Sequence, residues 1–553
     1  MTNQLRGVAA APGAAVAAPW IYRAAVGTRG GMSLADASAT AVAEVGVLAG
    51  RLRDHGHEAE AEILDAQSLM AADPALLDAA SELISGGADP AVAIVQAGEV
   101  VASQFEAIGD EVLAARGADV RDVAARIARV MTGGEAPHLE RRSVVVARDL
   151  PPSVTVELDR ALLAGIALED GSRTSHAAIL SRSLGIPAVV GVAGVCDAAA
   201  AASELGVDGD AGIVHLDPDA AARAGLAEAA TVARERAASD ADLATSPLAT
   251  ADGHRVVCAA NIGEPNEAAA AVAAGAEAIG LFRIEFAFAG RSSAPDEETQ
   301  AAAYGDVLRA CAGREVVFRL ADIGGDKPIA YLPLEPEANP FLGVRAIRLA
   351  ARHPDLLPTQ LRAILRASVA TGRRASIMAP MVADEEDLDL VLRLVADALV
   401  VVADASPPRV GIMVEIPSAV LLADRLAPRV EFMSIGTNDL TQYLVAADRS
   451  NAALAARQDP LHPAVLRAIG KVVDAAAVTG CEVAVCGEMA GDPVGAQLLV
   501  GLGVDELSME SRAFGAVKRA IRARTLPDLV ALATDARQLS SAAEVRRAVE
   551  PTP

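Results

Sequence analysis

Eight short apolar, β-prone runs recur through the second half of the chain and constrain its fold more than any other feature. They are VVCAANI (256–262), AIGLFRIEF (278–286), EVVFRLADI (315–323), ASIMAPMV (375–382), RVGIMVEIP (409–417), FMSIGTNDL (432–440), EVAVCGEMA (482–490) and VDELSME (504–510). Most neighbours are separated by 20 or more residues of largely helical pattern; the last connection is shorter, and the loop after the third run is long. Eight strand–helix units in succession predict a (β/α)8 TIM barrel over residues 254–553. Most runs also start apolar and end on polar or reactive residues: Asn261, Arg283 and Glu285, Arg319 and Asp322, Glu415, Asn438 and Asp439, Cys486 and Glu488. The C-terminal strand ends of such a barrel form its active-site face, so these groups are expected to converge on one mouth.

The first half has a different texture. Residues 32–140 read as helices, with apolar spacings of three and four in EAEAEILDAQSLM (58–70) and VRDVAARIARVM (120–131). Strand-like pieces flank them, among them SVVVARDL, LAGIALEDG, IPAVVGV and GIVHLD. The pattern predicts an α/β domain built from residues 1–31 and 141–218, interrupted by a helical insert over 32–140. A helical linker and hinge over 219–253 follows, with the Ser-, Thr- and Asp-containing stretch 239–253 as the hinge. A multidomain chain agrees with 553 residues, more than one hydrophobic core usually serves.

Composition excludes several classes. A net charge of −25 argues against a nucleic-acid partner. No stretch supplies the roughly 18 apolar residues of a spanning helix. The Ala-rich start is broken by Pro12, Gly13 and Pro19, unlike a secretory signal. Five scattered cysteines without a CxxC pair argue for a reducing compartment and against a disulfide frame or a zinc site. A cytoplasmic protein is expected.

The expected mouth carries Arg283, Arg319 and Arg449, with Lys327 and Arg345 near mouth segments in sequence. Guanidinium groups bind phosphate and carboxylate bidentately, so a small, multiply charged anion is the expected ligand. The competing reading pairs these arginines with Glu285, Asp322 and Asp448. Glu415 and Asp439 end successive strands, and two oxygen donors with open positions suit Mg²⁺; a plain ion pair at Glu415 is the alternative. Asn438 is placed to touch the substrate. Cys486 is either an inert core thiol or a proton donor.

Of eight histidines, His176 stands apart. It lies in EDGSRTSHAAILSRSLGIPAVVG, with Thr174 and Ser175 as capping candidates before a helix-like run. That places an imidazole, nucleophilic near neutral pH, at a helix N-terminus where a transferred phosphate is favoured.

Together, GLFRIEF, DIGGDK, NPFLGVRAIR, LRAILRAS, MVEIPSAV, SIGTNDLTQY, DRSN and CGEMAGD resemble the phosphoenolpyruvate-binding barrel of the Enzyme I family of the bacterial phosphotransferase system. Pyruvate phosphate dikinase and phosphoenolpyruvate synthase share that barrel. The histidine segment resembles the swivelling phosphohistidine domain of the same family. The resemblance implies that Arg283, Arg319 and Lys327 hold the phosphoryl group, with Arg345 in support. It further implies that Glu415 and Asp439 ligate Mg²⁺, that Asn438 and Arg449 bind phosphate or carboxylate, and that Cys486 protonates the enolate to give pyruvate. His176 would be the phosphorylated nucleophile and Thr155 the hydroxyl that orients it. The helical insert would dock the phosphocarrier protein HPr, and the barrel would form a homodimer. Ser172, Pro151, Ile284 and Leu320 depart from the family pattern. The alternatives are a regulatory phosphoprotein of the same fold and a dikinase-like or synthase-like enzyme; the latter needs an additional ATP-binding domain, which the residues before the phosphohistidine segment read as too few and too helical to supply.

Overall fold

A computed structural model describes residues 3–22, 31–54, 58–107, 111–171, 175–288, 293–324, 329, 331–332, 335, 337–449, 451, 454 and 457–549. The chain forms two units, Met1–Arg236 and Ala237–Pro553.

The first unit is built on an eight-stranded sheet. Its strands are β1 (Gln4–Arg6), β2 (Val8–Ala11), β3 (Ala14–Ile21), β4 (Ser143–Ala147), β5 (Leu163–Leu168), β6 (Ala188–Val190), β7 (Leu205–Asp208) and β8 (Ile213–Leu216). They lie in the order β1-β8-β7-β3-β4-β5-β6-β2. The four central strands β3 to β6 run parallel, with antiparallel strands on both flanks. β4 and β5 are buried along their whole length, as VVV and LAGIAL runs require when both faces are covered.

Between β3 and β4 the chain leaves the sheet for five helices, Leu34–Asp54, Glu58–Ala71, Pro74–Ser85, Pro90–Ala107 and Glu111–Met131. Small side chains let these helices pack closely around Leu76, Ile94 and Ile127, with Ala37, Ala41, Ala80 and Ala124 in the same core. Asp73 caps the third helix by accepting from the Ala75 amide at 2.8 Å, just before a proline at its first position.

The second unit is a closed, all-parallel barrel. Its strands are β9 (Val257–Ile262), β10 (Ala278–Arg283), β11 (Val316–Arg319), β12 (Ser376–Ala379), β13 (Arg409–Val414), β14 (Phe432–Ile435), β15 (Glu482–Val485) and β16 (Glu506–Met509). β16 pairs with β9 to complete the ring. Each of the eight runs read from the sequence supplies one strand, so the expected architecture of an α/β domain with a helical insertion followed by a TIM barrel is met. Alternation explains the packing. Leu281, Val317, Met378, Met413 and Phe432 fill the barrel interior with Cys486. The neighbouring Phe318, Ile377, Ile412 and Met433 turn outward into the core beneath the surrounding helices.

The helix Ala220–Ala244 runs six residues beyond the 219–238 stretch that the sequence marked as helical. Within the 239–253 stretch read as a hinge, residues 240–252 are bonded into the barrel unit. Asp240 pairs with Arg519 at 2.7 Å, and the buried Lys518 ammonium donates to the carbonyls of Ala244 and Ser246 at 2.5 and 2.8 Å. Asp252 accepts from the Leu526 amide at 3.0 Å. None of the described helices is long and apolar enough to cross a membrane.

Candidate active site

A chain of alternating charges spans the C-terminal mouth of the barrel. Arg319 ends β11 and is 6% exposed; its Nη2 donates to Glu285 Oε1 at 2.7 Å, and its Nη1 lies 3.8 Å from Asp322. Arg345 is wholly buried and donates from Nε and Nη2 to the two oxygens of Asp322 at 2.9 and 2.6 Å. Its Nη1 reaches Asp439 Oδ1 at 3.2 Å, and Arg449 Nη1 approaches the other Asp439 oxygen at 3.4 Å. The Arg449 guanidinium also lies 5.1 Å from the centre of the Phe341 ring. Burial opposes the charge on Arg319 and Arg345, but the surrounding carboxylates outweigh it and raise both pKa values above the ordinary one. Gly324, at φ +103°, allows the loop after β11 to close on this chain, since a Cβ there would sit 2.6 Å from the Val344 carbonyl oxygen.

The pairing of Arg319 with Glu285 and Asp322 is the local neutralisation weighed against anion binding, whereas Arg449 pairs with Asp439. Neutralisation is incomplete in geometry. Among the described residues, Arg283 Nε, Arg319 Nε, Glu285 Oε2 and Thr437 Oγ1 are buried without a hydrogen-bond partner. Such orphaned atoms are costly, and their concentration at one barrel mouth is what a site for a polar ligand requires.

Glu415 follows β13, is 1% exposed, and accepts from the Met381 amide at 2.7 Å. Burial first, then the neighbouring charges of Asp439 and Asp322, hold its carboxyl well above the usual carboxylate range. A divalent cation would relieve that accumulation of negative charge. Among the described residues no three His, Cys, Asp or Glu side chains gather into a self-sufficient metal site. Two carboxylates completed by substrate oxygens and water are a donor set that fits Mg²⁺.

Asn438 and Asp439 lie one step further along than the sequence suggested. β14 stops at Ile435, and both residues belong to the first turn of the helix Thr437–Val445. Asn438 is exposed, and its Oδ1 accepts from the Glu488 amide at 3.0 Å. Cys486 follows β15 in the inner barrel cluster, with Sγ 3.8 Å from the Ile435 carbonyl oxygen. Burial pushes its thiol up to about 11, so it carries its proton at neutral pH. Asn261 holds this turn by donating to the Cys486 carbonyl at 3.0 Å while accepting from Ser508 at 2.7 Å.

In the first unit His176 is the first residue of the helix His176–Leu184, and Ser175 is its N-cap in extended backbone. Thr155 lies in the short helix Pro152–Glu157, is 2% exposed, and donates to the Pro151 carbonyl at 3.3 Å. The two helices pack against each other. Pro151 stands at the N-cap of the short helix, and Ile284 and Leu320 are buried in the large barrel core. Lys327, Ser172 and Thr174 lie outside the described residues. Sequence reasoning paired Glu285 and Asp322 with the arginines but overlooked Phe341 and Tyr443, whose hydroxyl donates to the Phe341 carbonyl at 2.6 Å and lies 3.5 Å from Arg345 Nη1. The signals were present in the motifs DIGG, NPFLG and LTQY that flank the arginines.

Three family models match in succession. They are the PEP-utilising enzyme N-terminal region at residues 6–116, the mobile domain at 139–212 and the PEP-binding domain at 237–526. A phosphoenolpyruvate-protein phosphotransferase of Staphylococcus carnosus is 37% identical, covering 100% of this chain and 99% of its own length. One from Haloferax volcanii is 42% identical over 92% of this chain and 90% of its own. A multiphosphoryl transfer protein of Xanthomonas campestris is 43% identical over 88% of the chain, which spans only 58% of that relative. With these three matches and that identity over its whole length, the chain belongs to the phosphoenolpyruvate-protein phosphotransferase, or Enzyme I, family of PEP-utilising enzymes.

Proposed function

We propose that the chain transfers the phosphoryl group of phosphoenolpyruvate to His176 and then to the phosphocarrier HPr, releasing pyruvate as the first step of sugar phosphotransferase uptake. The observation that carries this reading is the barrel mouth itself, where orphaned arginine donors, two buried carboxylates and a protonated thiol are collected together. Phosphoryl transfer needs mainly positioning and charge stabilisation, and these groups supply both.

Arg283 and Arg319 take the phosphoryl oxygens with the unused Nε donors, and Lys327 joins them. Arg345 holds Asp322 and Asp439 in place, so that it supports the site without being consumed by the substrate. Asn438 and Arg449 bind the carboxylate or phosphate. Mg²⁺ held by Glu415, Asp439 and substrate oxygens would offset the charge on the transferring group. The His176 nitrogen forms its bond to phosphorus as the ester oxygen leaves, and the Cys486 thiol protonates the enolate carbon to complete pyruvate. Thr155 orients the imidazole. The helical insert holds HPr for the second transfer. The reading requires His176 to visit both partners, and with residues 240–252 fixed to the barrel the pivot falls before Asp240. Homodimerisation through the barrel and a cytoplasmic setting complete the proposal.

Pyruvate release in the presence of phosphoenolpyruvate, Mg²⁺ and HPr tests it. Turnover that needs HPr and ignores ATP is expected. Turnover that requires ATP would favour a dikinase-like enzyme, and a chain without turnover would be a regulatory phosphoprotein.

A further inference from the structure

The short helix that carries Thr155 is fastened on two sides. On one side Val154 packs with Ala177 and Ala178, the residues immediately after His176. On the other side Arg126, from the last helix of the insert, donates through Nη2 to Glu157 Oε2 at 2.8 Å and to Ser153 Oγ at 3.0 Å. Ser153 and Glu157 are four residues apart and so share one helix face. Ser153 passes the contact on by donating to Asp122 Oδ1 at 3.0 Å, and Arg126 Nη1 pairs with Glu44 at 2.8 Å on the first insert helix. Val156 adds an apolar contact to the cluster of Val45, Leu48, Leu52 and Leu64.

The Arg126–Glu157 pair at the centre of this seam is largely buried, with side chains 5% and 14% exposed. Buried ion pairs contribute little net stability compared with apolar packing, but they can fix one arrangement of the elements they join. Beside the seam lies a cavity of about 690 Å³ lined by Arg126, Glu157, Asp122, Val154, Tyr22 and Trp20. Apolar packing is therefore missing on that side, and the ion pairs take over the task of fixing the helix.

We propose that Arg126 is a positioning residue for phosphoryl transfer at His176, acting through Glu157 and Ser153 on the helix that supports the nucleophile. The inference rests on the functional reading above. It also gives the helical insert a part in the first transfer, from phosphoenolpyruvate, in which a docking platform for the acceptor would have none.

The test is single-turnover labelling from phosphoenolpyruvate and Mg²⁺, without HPr, in Arg126→Met and Arg126→Met/Glu157→Met, each with its melting temperature. The single variant strands Glu157 and should lose both stability and rate. The double variant leaves no stranded charge at Glu157, and Asp122 keeps its bonds from Ser153 and Gln67, so much of the lost stability should recover. Its labelling should remain slower by about tenfold or more, with KM for phosphoenolpyruvate little changed, because a misplaced nucleophile costs rate and not binding. Labelling of the double variant at the parent rate would overturn the proposal, leaving the seam a structural contact. If the double variant does not fold, Arg126→Lys decides the matter, since it keeps a charge opposite Glu157 but has no planar fork to hold Ser153 and Glu157 together; an unchanged rate there overturns the proposal as well. A parent chain that takes no label removes the functional reading, and this inference with it. Emission from Trp20, the only tryptophan of the chain, reports whether the cavity wall is intact in each variant.

Discussion

Arg345 binds both oxygens of Asp322 through one fork while its third nitrogen reaches Asp439, so a single buried guanidinium ties the loop after β11 to the helix after β14. Removing it takes the two-point partner from Asp322 and one donor from Asp439, two acids that already crowd Glu415. Arg345→Met is expected to cost about 3–5 kcal/mol of stability, the range for breaking a buried pair by removing one partner. Arg345→Lys keeps the charge but cannot make the two-point contact. It should recover part of the stability and little of the activity. Denaturant midpoints and pyruvate release measure the two effects, and full activity in Arg345→Lys would contradict the role given to the fork.

Gly487 follows Cys486 and lies against the start of the helix that carries Asn438 and Asp439. A Cβ there would stand 1.9 Å from Thr437 Oγ1 and 2.7 Å from the Thr437 amide. Backbone cannot yield as a flexible side chain does, so Gly487→Ala should cost about 1–3 kcal/mol. It should also displace Cys486 and slow pyruvate formation more than His176 labelling. A variant with parental melting and turnover would show that the turn relaxes freely.

Alkaline pH should destabilise the barrel through its buried thiols. Burial pushes Cys258 up to about 12 and Cys486 up to about 11, against about 8.5 for a thiol in an unfolded chain. Because the folded values are raised, these thiols favour the fold fully below the unfolded pKa. That contribution is lost as pH rises toward the folded values, at up to about 1.4 kcal/mol per pH unit for each group. Unfolding free energies from pH 8 to 11 should therefore fall, and Cys258→Ala should flatten the decline. An identical slope in the variant would count against a buried, protonated Cys258.

Much of this was legible in the residues because barrel strands carry their signal locally. Runs such as FMSI and VAV are short and apolar, and polar residues mark where they stop. What lay beyond reach was three-dimensional. The sequence placed Asp439 at a strand end because it cannot show that Gly436 caps a helix starting at Thr437, two residues before Asp439. It offered 239–253 as a hinge because Ser, Thr and Asp look like a linker, while the Lys518 and Arg519 contacts that fix the segment come from more than 260 positions away. The arginines were visible as a cationic group. Their order along a chain of alternating charges was not, because that order depends on how the loops after β10 and β11 fold over the mouth.

The most direct test of the account is labelling with phosphorus-32 phosphoenolpyruvate and Mg²⁺, followed by mapping of the labelled peptide. The account predicts one acid-labile phosphohistidine at His176, label that passes to HPr on addition, and none in His176→Ala. Label that persists in His176→Ala, or that maps to another residue, would contradict it.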